Sequence, residues 1–159
     1  MSTRIKLIGF DLDGTLWSPE MYQLNGGAPF EAAVDQKNVL LDRRGTEVHL
    51  LGISAIILHE LKFNPRWSHV KVAWVSKCDE PRWAEECLSK FITTSGEEDG
   101  EGCAIGDVAH MSLIYNENKQ SHFRRLKEEF PDIAFDEMLF FDNERGNIVS
   151  VSQLGVKVS

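Results

Sequence analysis

Several scarcities in the 159-residue chain narrow its reading early. There are three cysteines, Cys78, Cys87 and Cys103, and no C-x-x-C pair, which argues against both a disulfide framework and a zinc ribbon. The five histidines show no H-x-x-x-H spacing, so a zinc site is not expected either. No apolar run approaches the roughly 20 residues needed to span a bilayer. The opening MSTRIKLIGF lacks the apolar core of a secretion signal. These features point to a reducing, cytoplasmic setting. Positive charge is short as well: 17 Lys and Arg stand against 25 Asp and Glu, a net charge of −8. A net-acidic chain is a poor binder of nucleic acid or anionic membrane, and any anion it binds must meet local positive charge. Gly100, Gly102 and Gly106 follow no strand and make no dinucleotide fingerprint. Repeats and long linkers are lacking, so residues 1–159 read as one domain.

What is present is a core-sized apolar fraction, 42%, arranged in short runs. Ile5 to Leu12 (IKLIGFDL) is a strand ending at the turn signal Asp13-Gly14. Val70 to Ser76 (VKVAWVS) and Met138 to Phe141 (MLFF) are two more, with weaker candidates at His110 to Tyr115 and Val156 to Val158. Between them, Ile53 to Phe63 suits a buried helix stopped by Asn64-Pro65, and Pro81 opens a second helix. Lys119 to Phe130 forms a third, ended by Pro131, and Asn147 to Leu154 a fourth, capped by Gly155. Asn38 to Leu51 reads as a hairpin flap about Asp42-Arg43-Arg44-Gly45, within a less regular stretch of about 18–51. The acidic, glycine-rich stretch of about 94–103 reads as a mobile loop. Alternating strands and helices imply an α/β fold, a three-layer Rossmann-like parallel sheet with helices on both faces.

In such sheets ligands sit beyond the carboxyl ends of the strands. There the sequence puts Asp11 and Asp13, Ser76 and Lys77, Lys119, and Asp142 with Asn143. Residues two apart on a strand point the same way, so Asp11 and Asp13 share one crevice. Two close carboxylates repel unless a cation or a shared proton lies between them, and Mg²⁺ suits hard oxygen ligands.

FDLDGTLW, DRRG on the flap, VS at mid-chain, NKQSHF and MLFFDNERGNIVSVSQLGV, in that order, resemble the haloacid-dehalogenase superfamily. The resemblance is to its small cap-less magnesium-dependent phosphatases of the acid phosphatase type. It implies an HAD-like fold with a small flap and no large cap domain. By the same resemblance, Asp11 is the nucleophile that forms an aspartyl-phosphate, and Asp13 is the general acid/base. Mg²⁺ is held by Asp11, the main-chain carbonyl of Asp13, and Asp142. The Leu12 N–H, Ser76, Lys77 and Lys119 bind the phosphoryl group. Taken alone, Ser76 is a capping or surface serine, Lys119 a solvated helix opener, and His122 ordinary helix packing.

Two positions depart from the family pattern. Lys77 stands where these phosphatases commonly carry arginine, and lysine lacks the planar two-pronged donor. Asn143 stands where many members place a second aspartate, one negative charge fewer near the metal. Trp17 is expected as an apolar wall at substrate access and Arg43 and Arg44 as flap cations drawing phosphate, or else as a packed aromatic and a solvated tip. Related phosphatases act on phosphotyrosine and on sugar-phosphate adducts of proteins, including fructosamine phosphates. The expected partner is therefore a phosphorylated small molecule or protein side chain. A catalytically weak phosphoprotein-binding module is the alternative, supported by Asn143 and Lys77. A dehalogenase fits less well, since it typically lacks an acid at position 13.

Overall fold

The computed structural model describes residues 4–97 and 100–159. Its centre is a five-stranded sheet of β1 (Leu7–Phe10), β6 (Lys71–Ser76), β7 (Met111–Ile114), β8 (Met138–Phe141) and β9 (Lys157–Val158). The strand order is β7-β6-β1-β8-β9, and every pairing is parallel. The near-continuous apolar runs of β1 and β6 follow from burial on both sides. The chain steps outward from β1 to β6 and β7, then crosses to the other side of β1 to form β8. That reversal lies between β1 and β8, where open α/β sheets leave a crevice.

Helices cover both faces, as expected. α1 (Gly52–Phe63) and α2 (Pro81–Lys90) pack with Phe10, Val72 and Trp74 in one core. α3 (Lys119–Glu129) and α4 (Arg145–Ser152) pack with Leu7, Val75 and Phe140 in the other. Gly9 permits the close approach of α3, because a Cβ there would lie 3.0 Å from the Phe123 ring. α1 departs from the fully buried helix the sequence suggested. Ser54, Ala55 and Leu58 are buried, whereas Ile53, Ile56, Ile57 and Phe63 stay substantially exposed. Its apolar residues extend round the helix beyond the face that meets the sheet.

The flap is larger than a hairpin. Strands β4 (Val39–Leu41) and β5 (Glu47–Leu50) form the expected pair. Two-residue strands β2 (Trp17–Ser18) and β3 (Glu31–Ala32) extend it to an antiparallel sheet of order β2-β5-β4-β3. Its turn is fastened by one buried carboxylate. Asp42 accepts the backbone N–H of Gly26, Gly27, Arg44 and Thr46 at 2.8 to 3.2 Å. Burial alone would raise the Asp42 pKa, but these four donors outweigh it and hold the carboxyl below its ordinary value. The expected acidic loop falls partly on residues 98–99, outside the described residues. Among the described residues, no helix is long and apolar enough to cross a membrane.

Candidate active site

Asp11 follows β1 and Asp142 follows β8, so the two carboxylates flank the reversal point of the sheet. Both are buried, and Lys119 lies between them. Its Nζ donates to Asp11 Oδ1 and Asp142 Oδ2, each at 2.7 Å. Lys119 opens α3, where a cation opposes the helix dipole. Two carboxylates at this spot offset that cost. Thr15 Oγ1 donates to the other Asp11 oxygen, Oδ2, at 2.9 Å. Burial and the neighbouring Asp142 charge push the Asp11 pKa up to about 6, against the opposing pull of Lys119.

Three oxygens converge beside this cluster. With the Asn143 amide turned so that its nitrogen faces them, it donates to Asp11 Oδ2 at 3.0 Å, Asp142 Oδ1 at 3.2 Å and the Asp13 main-chain carbonyl at 3.3 Å. The side-chain amide thus takes a place suited to a positively polarised group. Asp11, Asp142 and the Asp13 carbonyl are also the set that the family resemblance implies for Mg²⁺. The donor set fits a hard cation, being all oxygen and carrying two carboxylates. Among the described residues, no group of three or more His, Cys, Asp or Glu side chains is placed to hold a metal. Here the third oxygen is main chain. Gly14, at φ +80°, makes the turn that lets Asn143 lie this close, since a Cβ at Gly14 would be 2.5 Å from its amide.

Asp13 is half-buried on the flap side of the same cleft. Its Oδ1 accepts the indole N–H of Trp17 at 2.7 Å and the backbone N–H of Met21 at 3.3 Å. Burial raises its pKa despite these two donors and a hydrogen bond from the Cys78 thiol. A carboxyl that holds a proton more readily than usual is suited to general acid work. The Cys78 thiol lies beside it. Burial and the Asp13 charge push that thiol up to about 12, so it is a neutral group at neutral pH.

Ser76 ends β6 and lines the cleft, and its Oγ accepts the Cys78 N–H at 3.1 Å. Its carbonyl, with that of Tyr115, faces His122 Nε2 at 3.2 and 3.1 Å. Nδ1 of the same ring lies 3.2 Å from the Asn118 carbonyl. Burial lowers the His122 pKa. A neutral ring carries one proton, and with carbonyl oxygens facing both of its nitrogens either can donate it. His122 therefore ties the strand end bearing Ser76 to the start of the helix bearing Lys119, and its ring stacks on Tyr115. Lys77 is exposed on the cleft wall. The Leu12 side chain is fully buried, which leaves only its main chain to serve a ligand.

For three residues the structure shows the second of the two expected placements, a packed aromatic and a solvated tip. Trp17 is 0% exposed and forms no wall at substrate access. Pairing of β2 with β5 and packing of its ring against Phe91 carry it into the core, with its N–H turned to Asp13. Arg43 and Arg44 are solvated at the flap tip and do not line the cleft, because the turn is folded back onto Gly26 and Gly27 by Asp42. Instead Glu20 and Tyr22 meet the cleft on the flap side, and Asp79, Glu144 and Asn147 complete its rim. Sequence reasoning missed these rim residues. Glu20 and Tyr22 lie in an irregular stretch with no periodicity. For Thr15, four residues after Asp11, the D-x-D-G-T spacing carries the signal. The cleft holds about 200 Å³. That is below the roughly 300 Å³ at the small end of ligand pockets, so only a small group fits inside.

A family model described as acid phosphatase matches residues 4–159. The chain is 34% identical over 151 residues to human magnesium-dependent phosphatase 1, covering 95% of this chain and 74% of that protein. It is 30% identical over 151 residues to a HAD-like hydrolase superfamily protein of Schizosaccharomyces pombe, covering 95% of this chain and 82% of that one. Among solved structures, it resembles the N-terminal part of a Bacteroides fragilis protein that contains a phosphatase domain complexed with Mg. That match has a TM-score of 0.61 at 21% identity and covers 99% of this chain. The chain spans 36% of the length of that structure, so the likeness is one of fold.

Proposed function

The chain belongs to the acid phosphatase family of HAD-like hydrolases, and from that premise we propose that it is a magnesium-dependent phosphomonoesterase working through an aspartyl-phosphate on Asp11. One observation carries the reading. Asp11, Asp142 and the Asp13 carbonyl aim oxygens at a single point, while Lys119 bridges the same two carboxylates. Such a cleft repels a phosphate dianion unless a cation is present. Mg²⁺, when bound, supplies charge neutralisation and a fixed orientation for the phosphoryl oxygens.

The chain's own residues do the rest. Lys119 Nζ and the Thr15 hydroxyl each hold one oxygen of Asp11 and fix its carboxylate in the cleft. Attack forms the Asp11–phosphorus bond as the bond to the leaving oxygen breaks, and Asp13 protonates that oxygen. Asp13 then takes a proton from the water that hydrolyses the intermediate, which restores both carboxyl groups. The Leu12 N–H, the Ser76 hydroxyl and Lys77 serve the phosphoryl oxygens.

The small cleft and the absence of a cap domain among the described residues suit a phosphate on a larger group that stays outside. Phosphotyrosine and sugar phosphates, fructosamine phosphates among them, are the proposed substrates, free or on a protein side chain, with no nucleic-acid or membrane partner. Three free cysteines fit a cytoplasmic setting. The test is a phosphate-release panel of phosphotyrosine peptides, sugar phosphates and fructosamine phosphates, with Mg²⁺ and with a chelator. Turnover in Mg²⁺ alone supports the proposal. Binding without turnover favours the alternative of a phosphoprotein-binding module, for which Asn143 and Lys77 speak.

A further inference from the structure

We propose that Trp17 is a positioning residue that selects which oxygen of Asp13 carries the proton during turnover, an inference that rests on the reading of Asp13 as general acid/base. Asp13 has two carboxyl oxygens, and Oδ1 carries two fixed one-way donors, whereas the Cys78 thiol that also hydrogen-bonds the carboxyl is a weak donor whose S–H can rotate away. Oδ1 is taken, with the Trp17 indole N–H at 2.7 Å and the Met21 N–H at 3.3 Å. An indole nitrogen donates and never accepts, so it cannot share an O–H on Oδ1. A backbone amide has the same one-way character. The proton is thereby directed to Oδ2 of a carboxyl that lines the cleft.

The donor is held rigidly. Trp17 is fully buried, its strand pairs with β5 of the flap sheet, and its carbonyl accepts the Gly14 N–H at 2.8 Å. Its ring lies 5.9 Å from that of Phe91 at the end of α2. The flap thus reaches the chemistry through two hydrogen bonds to Oδ1, the shorter of them from Trp17. In the first half-reaction the Oδ2–H bond breaks and its electron pair stays on Oδ2, while the proton passes to the leaving oxygen. In the second, a water O–H breaks and Oδ2 regains the proton. Through both halves Oδ1 keeps the same two donors, so the carboxyl need not rotate between its acid and base roles.

The experiment is a double-mutant cycle of Trp17→Phe and Asp13→Asn, read with an alkyl phosphate and with an activated aryl phosphate at saturating Mg²⁺. Trp17→Phe keeps an aromatic ring and removes the donor. Loss of one hydrogen bond to a charged group is worth roughly 10- to 100-fold. We expect kcat on the alkyl phosphate to fall by about that factor, the aryl phosphate to lose much less, and KM to hold for both. In the Asp13→Asn background, Trp17→Phe should have no further effect. Equal losses on both phosphates, or losses that multiply in the double variant, would overturn the proposal. If Trp17→Phe does not fold, site-specific 3-benzothienylalanine replaces only the N–H by sulfur and is read by the same criteria. Asp13→Asn without effect on the alkyl phosphate would defeat the acid/base reading itself, whereas its loss beside an unaffected Trp17→Phe would defeat this inference alone.

Discussion

Lys119→Met in metal-free protein perturbs the centre of the site. The lysine is almost wholly buried and bridges two buried carboxylates at 2.7 Å each. Methionine keeps the length and apolar stem of the side chain but leaves Asp11 and Asp142 facing each other unscreened. Breaking a buried ion pair from one side costs about 3–5 kcal/mol. At roughly 2–4 °C per kcal/mol for a chain of this size, the melting temperature should drop by about 6–20 °C at pH 7.5 in chelator. The deficit must depend on pH. In the wild type, Asp11 has a pKa of about 6 against an ordinary 3.8, so the folded state binds the proton more tightly. Its ionisation therefore destabilises the fold, with the full effect of about 3 kcal/mol present above pH 6 and relieved as pH falls toward 4. Without the lysine that pKa rises further. Each added unit makes about 1.4 kcal/mol of the deficit removable between pH 7.5 and pH 5. Mg²⁺ should also restore stability at pH 7.5, by about 2.7 kcal/mol at 100 times its dissociation constant. Thermal melts at both pH values, with and without Mg²⁺, measure all of this. A variant that melts with the wild type in chelator, or whose deficit ignores both pH and Mg²⁺, would refute the bridging account.

Asn143→Asp adds a charge beside three oxygens already rich in negative charge, so it should lower metal-free stability and lower the Mg²⁺ concentration for half-maximal phosphate release, by about 10-fold or more. Asp142→Asn should raise that concentration far more severely, and a Mg²⁺ titration of both variants decides whether the ligand has been placed one residue too early. Asp42→Ala removes the acceptor of four backbone N–H groups and should cost about 2 kcal/mol or more, with faster amide exchange at Gly26, Gly27, Arg44 and Thr46. Because the folded Asp42 pKa is depressed, that contribution is present above the unfolded pKa and disappears as pH falls through the folded one. Exchange rates compared at pH 7 and under strongly acidic conditions test the sign.

The parts of this molecule legible in the sequence are those governed by local rules. β1, β6 and β8 are short apolar runs because both faces are covered, and each is followed by a polar residue at the crevice. Pro81 and Pro131 bounded helices through backbone geometry alone. The two-residue strands β2 and β3 are too short to show a period, and they decide where Trp17 goes. A tryptophan beside the D-x-D-G motif could equally line the cleft or leave it, and only pairing with β5 turns its N–H onto Asp13. Arg43 and Arg44 were recognisable as a hairpin tip, but the direction of the tip is set by Asp42 reaching back to Gly26 and Gly27, a contact across the flap. Asn143 stood out as a departure in charge. That its amide faces three oxygens at once depends on the turn at Gly14, a tertiary fact.

The central claim is that Asp11 is the nucleophile, and a rapid acid quench tests it most directly. Wild-type protein mixed with a phosphoryl-labelled aryl phosphate in Mg²⁺ should retain a covalent label, released by hydroxylamine as an acyl-phosphate is, and mapping to the peptide that holds Asp11. Chelator should abolish the label, and folded Asp11→Asn should show neither label nor turnover, because an amide cannot form the acyl-phosphate. Turnover at wild-type rates by folded Asp11→Asn, or a label that maps elsewhere, would contradict the account.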